Sequence, residues 1–144
     1  MKQLTTSNLT LNEFKKLNKT KGWALSSLGY IVYFLLKLFR QKPKDFYGIP
    51  YFEIGNSTSG MEMGWFFICG KKANERLKMH EVGHGVQNAE IGGLSMAFYS
   101  FCSFCRFWWR KIFGAKTSYD SWWFEGNATK LGTEFINRIK EEQE

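Results

Sequence analysis

Two stretches of this chain, Gly22–Leu36 ("GWALSSLGYIVYFLL") and Ile91–Cys105 ("IGGLSMAFYSFCSFC"), each run 15 residues without a charge. Uncharged runs of that length must be covered by something, and a hydrocarbon core asks for about 20 helical residues to be spanned. The first run is apolar on all sides, which predicts a central buried helix, with a membrane-contacting helix as the alternative. The second leads into "RFWWRKIFGAK", where aromatic residues alternate with cations as they do in interfacial segments. At 144 residues the chain is long enough for one domain with a real core and short for two. It is read as a single domain over 1–144, with an N-terminal helical region at 1–45 and the remainder from 46 onward.

Around the runs the pattern changes. Thr10-Leu11-Asn12-Glu13 has the spacing of a capping box, predicting a short first helix that Gly22 interrupts. Two β-rich runs, Tyr51–Ile54 and Met61–Cys69, flank the turn-forming "GNSTSG" and predict a hairpin or two adjacent strands. Asn74 suits the N-cap of a helix from Glu75 to Glu90, ended by Gly92-Gly93. A last helix is expected to start near Ser118 or Asp120. The fold class is therefore α+β, mostly helical with a small sheet.

Both histidines of the chain lie in the predicted third helix, in "LKMHEVGHGVQNAE". Positions 80 and 84 are one turn plus about 40° apart, so both imidazoles leave the same face and can share one ion. Glu81 is turned about 100° away. In H-E-x-x-H sites that offset keeps the glutamate off the metal and free to act as a general base toward water. The competing reading is two ordinary helix histidines, one in a core and one exposed. A catalytic zinc takes three protein ligands, and with no third histidine in the chain Glu125 is the candidate, Asp120 its main competitor.

These residues resemble a known family. "HEVGHGVQ", an apolar insert and then "SYDSWWFEGNATKLG" look like the small HExxH metallopeptidase-like domains, of gluzincin type, of bacterial and phage proteins and of some polymorphic-toxin chains. The likeness covers Gly60 to Gly132 and includes the Gly-rich "SGMEMGWFFICG" before the histidine helix. It implies a zincin-like fold, zinc held by His80, His84 and Glu125, and Glu81 as catalytic base. The chain departs from the family at Thr129, where Asn or Asp is usual four residues after the glutamate. A longer side chain there orients a zinc-binding histidine, and threonine is shorter.

Other residues carry weaker expectations. Gly83 inside a helix, at a cost of about 1 kcal/mol relative to Ala, implies a tightly packed neighbour. Gln87 is either a polar wall of the cleft or solvent-facing, and Tyr119 is either an oxyanion donor or an ordinary packed tyrosine. The strand over Met61–Phe67 is placed beside the cleft, where an extended peptide can pair with it. Cys102 and Cys105 form a CxxC without a second pair, and the cysteines are read as reduced, buried thiols.

The net charge of +7 comes in short clusters with no nucleic-acid motif beside them, so no specific nucleic acid is expected. The first 22 residues are polar, so no signal peptide is expected; a cytoplasmic place, or delivery by another route, with peripheral membrane association as an option, follows. The expected function is zinc-dependent peptide-bond hydrolysis on a peptide or protein substrate. Two alternatives stand beside it: an inactive zincin-fold component of a larger assembly, and a membrane-associated protein.

Overall fold

In a computed structural model, residues 8–114 and 123–143 are described, and they form five helices and a four-stranded sheet. The chain order is α1 (Leu11–Thr20), α2 (Trp23–Leu38), β1 (Lys44–Phe46), β2 (Ile49–Glu53), β3 (Gly60–Glu62), β4 (Phe67–Cys69), α3 (Glu75–Ile91), α4 (Gly93–Phe113) and α5 (Trp123–Gln143). The α+β class and the helical majority agree with the sequence. No described helix is long and apolar enough to cross a membrane.

Local signals account for most boundaries. Thr10 and Glu13 form the reciprocal capping box at the start of α1, satisfying backbone donors that a helix start otherwise leaves open. The Asn74 side chain accepts from the Leu77 amide and opens α3, which ends at Gly92 in a positive-φ conformation. The expected start of the last helix, near Ser118 or Asp120, lies outside the described residues, and α5 is described from Trp123.

The sheet differs from expectation in two ways. The run Met61–Cys69 is not one strand: it folds back at Met63–Phe66, where the Met63 amide bonds the Phe66 carbonyl and Gly64 takes a positive φ. Antiparallel β3 and β4 result, and β4 lies parallel to β2, giving the order β1-β2-β4-β3. The added strand, β1, pairs with β2 through the two-residue turn Tyr47-Gly48. Both turn residues have positive φ, the geometry that matches strand twist in tight hairpins. Its signal was hidden because tyrosine is an uncommon residue there.

The main core sits between the sheet and helices α1, α3 and α5, with Phe14, Ile49, Phe67, Val86, Phe135 and Ile136 among its buried members. Helices α3 and α5 cross in very close contact. A Cβ on Gly83 would lie 1.7 Å from the Ala128 carbonyl oxygen, and one on Gly132 equally close to that of Met79. Gly83 thus has the tight neighbour that the sequence suggested. This crossing brings the N-terminal turn of α5 against the middle of α3. A buried pair, Asn18 and Asn88, fastens α1 to α3, with their amide contact at 2.7 Å.

The first uncharged run, expected as a central buried helix, is where expectation and structure part most clearly. Both uncharged runs are helical, but α2 buries only Ser26 and Gly29, and α4 only Met96 and Tyr99. Neither is a central core helix. The cysteines are unpaired, as expected, yet only Cys69 is buried; Cys105 is exposed and Cys102 intermediate.

Candidate metal centre

Three side chains from two helices converge at the α3–α5 crossing. His80 and His84 Nε2 lie 3.1 Å apart, and Glu125 Oε2 lies 3.2 Å from the first and 3.1 Å from the second. Among the described residues this is the group of histidine, cysteine and acidic side chains placed to hold a metal ion. Asp120 and Tyr119 lie outside the described residues. The sequence reading thus put together three residues that the fold brings together, across 41 positions of chain in the case of His84 and Glu125.

Each imidazole is oriented from behind. Thr129 Oγ1 sits 2.8 Å from His80 Nδ1 and 3.5 Å from the Glu125 carbonyl, to which its hydroxyl donates. Its oxygen is then free to accept from Nδ1–H. The amide of Gln87 donates to the Phe124 carbonyl at 2.9 Å, which leaves its Oε1 to accept from His84 Nδ1–H at 2.8 Å. Gln87 is buried, not solvent-facing. With Nδ1–H held from behind, each histidine can turn an Nε2 lone pair to an ion at the shared point, the arrangement that partners behind metal-binding histidines produce, and without an ion Nε2–H can instead donate to Glu125. Threonine, though shorter, reaches because α5 approaches α3 so closely. The ring of Phe124 stacks on His84 at 5.4 Å.

The spacing fits a cation. A tetrahedral ion about 2.0–2.1 Å from nitrogen and oxygen donors sets those donors about 3.3 Å apart. Two lone pairs and a carboxylate at 3.1–3.2 Å from one another repel unless positive charge sits among them. Without an ion, a proton serves: burial lowers the His84 pKa, but the Glu125 carboxylate outweighs it and pushes the value up to about 9. Burial likewise pushes the Glu125 carboxyl up, while hydrogen bonds from His80, His84 and Ser103 hold it well below the usual carboxylate range. Ser103, on α4, donates to Glu125 Oε1. Its role had no sequence signal, since it depends on a helix docking from elsewhere.

Glu81 stands apart from the triangle, as its angular offset requires, yet it lines the same cleft as both histidines. It is buried, and burial raises its pKa against the opposing pull of His84 and His80. The backbone amide of Glu62 in β3 donates to it. The bare α-carbon of Gly60 leaves room for it: a Cβ there would lie 2.6 Å from Glu81 Oε1. Glu62 was not anticipated. It is a second buried carboxyl, pushed up to about 8 chiefly by burial and so neutral at pH 7.

The cleft measures about 860 Å³ and is walled by β3 on one side and by Phe104, Phe107 and Trp108 of α4 on another.

Thr129→Val removes the acceptor behind His80 at constant shape. The expected result is zinc affinity lower by about 10–100-fold, the usual effect of losing such a partner, measured by competition with a chromophoric chelator. Unchanged affinity would show that the Thr129 hydroxyl does not set the histidine. Comparison with known proteins adds nothing to this geometry: no family model, no curated protein and no solved structure matches the chain.

Proposed function

We propose that the chain is a zinc-dependent hydrolase of peptide bonds, with a zincin-like arrangement in which His80, His84 and Glu125 hold the ion and Glu81 is the base. The observation that carries this reading is the pairing of a fixed donor triangle with a carboxylate that lines the same cleft but stays out of the triangle. A bound zinc ion supplies Lewis acidity, polarising a carbonyl and making nearby water more acidic.

The protein's own residues do the rest. Glu81, raised by burial, accepts a proton from water at the site and passes it to the leaving amine. Glu62, neutral beside it, adds no second negative charge to compete for that proton. Strand β3 ends the sheet order and lines the cleft with Gly60, Met61 and Glu62. An extended peptide laid beside Met61 gains main-chain hydrogen bonds, and the apolar wall of α4 receives its side chains.

The test is metal content together with cleavage. Protein purified without added metal should carry about one zinc per chain by elemental analysis. It should cleave an unfolded protein or a peptide library, and lose that activity to a chelator. Absence of metal uptake at any pH near neutrality would remove the basis of the reading.

A further inference from the structure

We propose that the exposed faces of α2 and α4 dock on the surface of an anionic lipid bilayer, and that the cleft opens at the edge of this contact. The two helices meet where Leu25 of α2 packs against the buried cluster of Met96 and Tyr99 of α4 with Phe124 of α5. Outward from that seam, α2 exposes Trp23, Ile31, Phe34 and Leu38, and α4 exposes Phe98, Phe101, Trp109, Ile112 and Phe113. Phe34 is 66% and Ile112 69% accessible. Adjacent large apolar side chains at that exposure amount to far more than the scattered surface residues of an ordinary domain.

Charge decides what covers them. No aspartate or glutamate occurs between Glu13 and Asp45 or between Glu90 and Asp120, while Lys37, Arg40, Lys42 and Lys111 are exposed within or beside the two helices. A second copy of the chain seated on this face would bring like charges together with no acid to answer them. An anionic lipid surface answers them, and aromatic residues mixed with cations are suited to the headgroup layer. Neither helix is able to cross the bilayer, so the contact lies on the surface.

The same helices serve the site. Leu28 of α2 and Phe104, Phe107 and Trp108 of α4 are exposed and also line the cleft, and Ser103 of α4 holds Glu125. A chain segment lying at the membrane surface thus meets the cleft where α4 meets lipid. That substrate class rests on the proposed hydrolase; the docking does not.

The experiment is co-sedimentation of the full chain with vesicles of phosphatidylcholine alone or with roughly one-third phosphatidylglycerol. Binding is expected to the mixed vesicles, to fall by roughly tenfold or more on pure phosphatidylcholine, and to weaken as salt rises. Lys37→Ser with Arg40→Ser should cost about fivefold per cation. Phe34→Ser, Phe101→Ser and Trp109→Ser together should cost more than tenfold. Because these side chains face outward, circular dichroism should be unchanged, and quenching of the parent's tryptophan fluorescence by brominated lipid tests the contact without any substitution. The Glu81→Gln form should bind as the parent does, so that a failure of hydrolysis leaves the docking result readable. The proposal is overturned if the parent ignores both vesicles, if the triple serine variant binds undiminished, or if the parent is a salt-insensitive dimer that those serines dissociate.

Discussion

Glu81→Gln is expected to slow peptide hydrolysis by about 10²–10⁴-fold while zinc content and thermal stability stay as they were. The separation follows from where Glu81 stands. The donor triangle is complete without it, so its loss leaves all three ligands in place. Glutamine has nearly the same shape, fits the space beside Gly60, and keeps an oxygen to accept from the Glu62 amide. What it lacks is the ability to take a proton. Burial raises the Glu81 pKa toward the working range of a base, and that property vanishes with the carboxylate. The comparison is wild type against variant on one peptide library, with zinc measured on the same preparations. Activity that survives the substitution would reject Glu81 as base and leave the metal site standing. A loss of zinc alongside activity would instead make Glu81 part of the ligand set.

Some of this site was readable from the chain because it depends on spacing along a helix. Residues 80 and 84 share a face in any α-helix, and Asn74 and Gly92 mark the ends of this one, so the histidine pair and its isolated glutamate needed no tertiary information. Glu125 was narrower than geometry alone allows; sequence left Asp120 beside it. What completes the centre was not readable. Ser103 reaches Glu125 only because α4 packs alongside, and Glu62 becomes a neutral neighbour of Glu81 only because β3 is buried there. Thr129 looked too short: Gly83 pointed to a tight neighbour but not to which one, and only the fold shows that Gly83 and Gly132 bring the backbones of α3 and α5 together.

The first uncharged run failed in a more instructive way. A helix that is apolar all round reads as core, because hydrophobicity reports a need for cover and not what the cover is. In α2 and α4 the described residues supply cover along one side only. The apolar residues of α2 that predicted burial became part of the exposed face from which bilayer docking is inferred. Sheet topology was hidden for a related reason: β2 and β4 pair parallel through contacts that no local turn specifies.

Glu125→Ala is expected to abolish zinc retention through purification, a larger loss than the 10–100-fold assigned to an orienting partner such as Thr129. Glu125 is fully buried and is the single anion of the triangle. It stays ionised despite burial because His80, His84 and Ser103 all bond its carboxylate. Removing it leaves two neutral imidazoles to hold a divalent ion in a partly buried place, where an uncompensated charge is costly. It also removes the group that raises His84, so the imidazole reverts toward its neutral form and the variant need not unfold. The thermal midpoint separates these outcomes. In the parent, saturating zinc at about 100 times its dissociation constant should add roughly 2.7 kcal/mol of stability, because the ion binds only the folded chain. In Glu125→Ala that increment should disappear although a cooperative transition persists. Asp120→Ala should keep both the zinc and the increment. If the Asp120 variant loses them and the Glu125 variant retains them, the third ligand is Asp120, and the triangle at the α3–α5 crossing is held together by a proton alone.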